Sequence, residues 1–387
     1  MVNVPTLRFP SFTEEWQKHS LDKLGTTIIG LTYSPSDVVK ENGTIVFRSS
    51  NIQNGEIDYS DIVRVGKEIK PVLRTKESDI LICARNGSSR LIGKNAILKK
   101  SDEGQTFGAF MMIYRSKYNK FIRQLLNTKR YSMQVAQNIG ARINQITTSD
   151  LNNFIFNFPT NPHEQKKIAD FLSLLDERIA LQSKLIEDLK ILKSAIVERL
   201  YGQYSSRIRI GTIIKPVSIR NRDGGELEVM SVSNKYGFIA QLEQFEERLV
   251  ASEDTSNYKV ITPGIFAYNP ARINVGSIAQ YKGDRPCIVS PMYICFECGE
   301  QVIGGYLEHF FSTKYFHKEM EKRLEGSVRL CLSFEALCNI PISLPTIEQQ
   351  QKYAHVVGII SEQISTETGI LQAYQKQKLY LLSAMFI

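Results

Sequence analysis

At 387 residues the chain is long enough for two or three domains, each with its own core. A composition of 42% hydrophobic and 23% charged residues describes an ordinary globular protein and excludes a disordered or fibrous one. The net charge of +8 is unevenly placed: residues 1–162 hold 22 Lys and Arg against 14 Asp and Glu, and the remainder balances. A basic globular region suits a polyanion such as nucleic acid, although solubility alone also accounts for it. No run of about 18 uncharged apolar residues occurs, and the N-terminus lacks the basic-then-apolar layout of a secretory signal. A cytoplasmic protein without a membrane partner is expected.

In chain order, residues 79–83 and 109–114 read as short strands and 118–139 as a helix closed by Gly140. Between them lies a polar loop, Arg85, Asn86, Gly87, Ser88, Ser89 and Arg90, followed by Gly93 and Lys94. Arginine can pair bidentately with guanine and asparagine with adenine, each good pair contributing about 1–3 kcal/mol of discrimination. The bland alternative is an ordinary turn with solvated charges. Lys117, Lys120, Arg123, Lys129 and Arg130, on or near the helix, are candidate phosphate contacts; Arg142, Asn144 and Gln145 follow its closing glycine.

Residues 163–201 contain neither Pro nor Gly, and apolar residues recur at three- and four-residue steps, among them Ile168, Phe171, Leu175, Ile179, Ile186, Leu189 and Ile196. This predicts a helix of about 39 residues, spanning about 58 Å. Thr160 or Asn161 can cap it, with Pro162 and Glu164 in the first turn and Gly202 as the stop.

The sequence then repeats itself. Ile146, Leu151, Phe154, Phe158, Pro159 and Thr160 return as Leu332, Leu337, Ile340, Leu344, Pro345 and Thr346, at an offset of 186 residues. Weaker echoes include Leu24-Gly25-Thr26 against Ile210-Gly211-Thr212. A period this long means duplicated domains, since solenoid units run to roughly 20–50 residues. In the second copy, 264–268 and 292–296 read as strands, 306–324 as a helix closed by Gly326, and Asp223-Gly224-Gly225 as a loop. Asn269, Arg272 and Asn274, with Gly276 after them, occupy the place of the first polar loop; Lys282 and Arg329 are further candidates for DNA contact.

A second amphipathic stretch from residue 348 to the end carries Tyr353, Val357, Ile360, Ile364, Leu371 and Leu382 on its stripe. Gly358 and Gly369 weaken it by about 1 kcal/mol each relative to Ala, so a partner helix must support it. The expected fold is therefore mixed α/β: two homologous modules, 1–162 and 203–347, joined by helices at 163–202 and 348–387. Connectivity favours an antiparallel two-helix coiled coil with a pseudo-twofold axis and a module at each end.

Catalytic signatures are missing. No phosphate loop, dinucleotide fingerprint or H-E-x-x-H motif occurs. Asn269-Pro270-Ala271-Arg272 lacks the second proline and the aromatic of an amino-methyltransferase motif, and Asp61 with Glu68 and Lys70 makes a poor metal-nuclease set. Cys295 and Cys298 have zinc-like spacing, but Cys331 and Cys338 are a poor second pair. A coiled-coil adaptor that binds only proteins is the rival from another class.

As a set, these features resemble the specificity subunit of a type I restriction–modification system. The opening (Pro5, Arg8, Pro10, Phe12, Trp16, Leu21, Leu24) is similar to that family, as is the run from Tyr268 to Ile278 with Ser290-Pro291-Met292-Tyr293 after it. So is Pro159 with Glu164, Gln165, Ile168 and Ala169, and its fainter copy from Pro345. The resemblance implies two target-recognition domains, each reading one part of a bipartite target in double-stranded DNA. The helices would set the gap and dock two methylation subunits, with restriction subunits joining afterwards. It implies no catalytic residue, metal or cofactor in this chain, S-adenosylmethionine being bound by the methylation partner. Gln349, standing where Glu164 stands in the first copy, departs from the pattern.

Overall fold

The computed structural model describes residues 4–139, 144–202, 207–222, 227–241, 254–327 and 329–387. The chain divides into two compact units, one of Met1–Lys184 with Gly369–Ile387 and one of Leu185–Thr368. Each unit thus owns one module and a part of both long helices.

In the first unit a four-stranded antiparallel sheet has the order Thr26–Ile29, Met111–Arg115, Ile80–Cys83, Asn95–Ile97. The continuous apolar run Ile80-Leu81-Ile82-Cys83 is buried on both faces, and strand alternation deals its side chains to two cores. Ile80 and Ile82 join Trp16, Tyr114 and Phe121 beneath the helices. Leu81 and Cys83 join Phe47, Phe107 and Ile113 beneath a second sheet, ordered Thr106–Phe107, Thr44–Phe47, Val63–Val65, Val38–Val39.

The second unit repeats the arrangement. Its sheet runs Ile214–Val217, Ile294–Cys298, Phe266–Tyr268, Ile278–Gln280, with Phe266 and Tyr268 in one core and Ala267 in the other. Its second sheet contains Val229–Ser233 beside Cys287–Val289 in parallel, as Thr44–Phe47 lies beside Thr106–Phe107 in the first.

Each single helix expected after the sheet is two. Residues 118–139 form Asn119–Leu125 and Lys129–Asn138; residues 306–324 form Gly304–Phe310 and Lys314–Glu321. The break has the same cause in both copies. Thr128 accepts a hydrogen bond from the Tyr131 amide and Thr313 from the Phe316 amide, so each threonine starts a new helix where apolar periodicity alone runs on. The loop expected at Asp223–Gly225 and the glycine expected to stop at 140 lie outside the described residues.

The first long helix is Pro162–Gly202, with Gly202 inside it rather than beyond it, and Asn161 accepts from the His163 amide at its start. The second is Ile347–Met385, opened by a reciprocal cap between Thr346 and Gln349. Gln165 and Gln350, both buried, donate back to the carbonyls of Pro159 and Pro345, tying each helix to the strand before it. Within the first unit the helix segments run antiparallel: Lys378 pairs with Asp176, and Arg178 lies 5.6 Å from the Tyr374 ring. Ile168 and Leu172 share a core there with Leu381, Leu382 and Met385. Within the second unit Val197 and Tyr201 share a core with Val357, against which Tyr353 packs. Of the other stripe residues, Ile186 is buried and Leu175, Ile179, Leu189, Ile196, Ile360, Ile364 and Leu371 are half-buried. Phe171 is 41% exposed and meets the Phe9 ring edge-on at 6.0 Å, because the N-terminal segment lies alongside this turn.

Candidate nucleic-acid interface

The first polar loop leaves the buried strand Ile80–Cys83 and is fastened by a second segment, residues 144–146. The Ile146 amide donates to the Ala84 carbonyl at 2.9 Å and the Asn86 amide to the Asn144 carbonyl at 3.2 Å. Side chains complete the clamp: Asn144 Nδ2 donates to the Gly87 carbonyl, Asn86 Nδ2 to Ser49 Oγ, and Asn86 Oδ1 accepts from the Ser88 amide. The Arg85 guanidinium lies 4.9 Å from the centre of the Phe110 ring, which is itself 57% exposed. That stacking holds the cation in one direction while leaving its N–H groups for an acceptor. Ser88 and Arg90 are exposed and Lys94 half-buried.

The second polar loop is fastened the same way. The Leu332 amide donates to the Pro270 carbonyl at 3.1 Å. Both partners stand 186 residues after Ile146 and Ala84, so one hydrogen bond recurs in both copies at the offset of the repeat. The bond brings the turn carrying Arg272 and Asn274, both exposed, beside the segment that follows Arg329, also exposed. Gly276 closes the turn at φ +91, and Gly93 closes the first loop at φ +81, conformations that an L side chain resists.

Other candidates have partners of their own. Asn269 is buried, and its Oδ1 accepts from the Ala271 amide, so it shapes the turn. Arg130 donates to the carbonyls of Ile155 and Ile387. Lys282 pairs with Glu308 at 2.6 Å. Lys129 is exposed at the start of its helix, and Arg142 lies outside the described residues. Phe110, Ser49 and Gln145, which bridges to Arg85, complete the first loop's surroundings. Gln145 was visible as a polar residue after the helix; Phe110 carried no signal, since an aromatic in a strand reads as core. Among the described residues no group of three or more His, Cys, Asp or Glu side chains is placed to hold a metal, and no helix is long and apolar enough to cross a membrane.

Residues 13–190 match the model of the type I restriction modification DNA specificity domain. The chain is similar to the EcoKI specificity subunit of Escherichia coli K12, 30% identical over 171 residues, which are 42% of this chain and 36% of that one. It is also similar to the StySPI specificity subunit of Salmonella potsdam, 28% identical over 190 residues, 46% of this chain and 40% of that one. The chain thus aligns with well under half the length of these curated relatives. The S subunit of a type I restriction–modification system from M. genitalium shares the fold across 99% of both chains, with a TM-score of 0.63 at 17% identity. A chain from a structure of type I complex assembly and conformational transition matches over 95% of this chain and 96% of its own, with a TM-score of 0.52 at 15% identity. The specificity-subunit fold therefore extends through both units, beyond the residues that the family model covers.

Proposed function

We propose that this chain is the DNA sequence-specificity subunit of a type I restriction–modification complex, each module reading one half of a bipartite target in double-stranded DNA. The observation that carries the reading is the recurrent loop clamp: the same backbone bond fastens a loop with Arg85, Asn86 and Arg90 in one module and a loop with Arg272 and Asn274 in the other. Arginine and amide side chains on loops anchored to buried strands suit base-edge recognition, and exposed Lys129 suits a phosphate.

The long helices set the separation of the half-sites and dock two methylation subunits. Leu174, Leu181, Ile191, Ile359 and Leu379 support this, each more than half exposed along them. Adenine methylation, with its S-adenosylmethionine, belongs to those partners, and restriction subunits join the assembly; this chain supplies recognition in the cytoplasm and no chemistry. The test is a mobility shift on duplex DNA, alone and with a methylation subunit, across a salt series. Affinity that falls steeply with salt is expected, since phosphate contacts release counterions. Binding to the methylation subunit without any duplex shift would favour the protein-only adaptor.

A further inference from the structure

The turn before the central strand of each module carries a large apolar side chain out into water. In the first module the Met111 amide donates to the Gly108 carbonyl at 2.8 Å and closes a turn whose Phe110 is 57% exposed. In the second the Tyr293 amide donates to the Ser290 carbonyl at 3.1 Å and closes a turn whose Met292 is 56% exposed. The two turns are equivalent by register. Met112 faces Ile82 and Ile294 faces Tyr268, and Ile82 and Tyr268 stand 186 residues apart. A single exposed apolar residue is ordinary. The same exposure at the same place in both copies is not, the less so when one side chain is aromatic and the other a thioether.

Phe110 is also held where the polar loop begins. Its carbonyl accepts from the Ala84 and Arg85 amides at 2.9 and 3.0 Å, so the turn and the loop share one backbone anchor. Its ring lies under the exposed Arg85, whose Cζ is 4.9 Å from the ring centre. A guanidinium that pairs bidentately with guanine O6 and N7 lies close to the plane of that base, because the fork is planar. Stacked on that guanidinium, a ring sits out of the guanine plane, toward the neighbouring base pair about 3.4 Å away along the duplex. The apolar group that a base pair presents there, in the major groove, is the thymine 5-methyl.

We propose that Phe110 is a specificity-determining residue: with Arg85 on a guanine, its ring packs on the 5-methyl group of a thymine in the adjacent base pair. The two side chains then read two successive steps of the first half-site. The inference rests on the DNA reading proposed above and adds the base contact that the polar loop cannot make. Arg85, Asn86, Ser88 and Arg90 offer hydrogen bonds and charge, and none of them covers a methyl group. Met292 holds the equivalent position for the second half-site.

The experiment measures binding of the full chain, with its methylation subunit, to duplexes carrying the target. The first half-site is the one that Arg85→Ala relaxes; if that variant relaxes neither, the proposal falls. Thymines of that half-site are replaced one at a time by deoxyuridine, which removes only the methyl group, and guanines by 7-deazaguanine, which removes N7. One deoxyuridine, beside a guanine whose deaza analogue also weakens binding, should lower affinity about fourfold, the worth of one buried methyl group. Phe110→Ala should bind the thymine and deoxyuridine duplexes equally, and Phe110→Leu should keep at least a twofold preference for thymine. Phe110 is exposed, so its truncation opens no cavity, and the fluorescence of Trp16 checks that each variant is folded. The proposal is overturned by no deoxyuridine effect in the unaltered chain, by an effect that persists in Phe110→Ala, or by one at a thymine with no such guanine beside it. Sequence-specific duplex binding without the expected effects counts against this inference alone, whereas no duplex binding by the complex overturns the DNA reading as well.

Discussion

The first long helix starts against a buried ion pair, the second against neutral groups. Glu164, 1% exposed, accepts from Arg8 Nε at 2.6 Å and Nη2 at 2.8 Å and from Trp16 Nε1 at 3.3 Å. Gln349, in the equivalent place, is exposed and only closes a cap with Thr346. The second unit instead anchors the end of the first long helix, where Tyr201 stacks on Tyr306 at 4.6 Å and donates to its carbonyl. Duplication preserved the backbone devices, among them the caps at Thr128 and Thr313 and the prolyl carbonyls held by Gln165 and Gln350. What diverged is whatever depends on the segment packed against the module: the stretch with Arg8 and Phe9 in one copy, the end of the first long helix in the other.

The largest difference between the two helix starts is expected at Glu164. Glu164→Ala leaves the half-buried Arg8 without its carboxylate and should cost about 1.5–3 kcal/mol in the first unit, against about 1 kcal/mol for Gln349→Ala, which loses only a cap. Trp16 is the chain's single tryptophan, so its fluorescence in denaturant titrations reports the first unit; equal losses would erase the contrast. Next, Arg272→Ala should weaken recognition of one half-site by about 1–3 kcal/mol and leave the other untouched, read by competition between duplexes altered in one half at a time. A uniform loss at both halves would mean that Arg272 acts on the phosphate backbone or on folding.

Acid should separate the units too. Burial, aided by Lys193, holds the His309 imidazole down at about 4, below its ordinary 6.5. The unfolded chain therefore binds the proton more readily than the folded one. Stability of the second unit is full above about pH 6.5 and lost as pH falls toward 4, by an amount on the order of 2 kcal/mol. Hydrogen exchange in the helix Gly304–Phe310 should rise over that window and flatten in His309→Gln; an unchanged slope would contradict it. The smallest effect is expected of Gly358→Ala and Gly369→Ala. A methyl group at either site meets nothing within 4 Å, so each should stabilise its unit by up to about 1 kcal/mol in thermal melts.

Much of this architecture was legible in the residues because it rests on local pattern. Long uninterrupted periodicity gave both helices, and apolar runs gave Ile80–Cys83 and Phe266–Tyr268. The breaks at Thr128 and Thr313 were missed because a side-chain cap competes with periodicity only once the backbone turns. Site chemistry was less legible. Arginine and asparagine on a loop look alike whether they face solvent or fasten the turn, and only distant partners distinguish them. Arg130 is held by Ile387, Lys282 by Glu308 from a later helix, and Arg85 by Phe110 in the turn before a neighbouring strand.

The proposed reading has two modules recognise two half-sites whose separation the long helices fix. An insertion of one helical turn, about four residues, after Gln182 tests it most directly, with methylated adenines mapped across the genome of cells carrying the altered chain and its methylation partner. The same two half-sequences at a new separation are expected. Methylation at the original separation would contradict it.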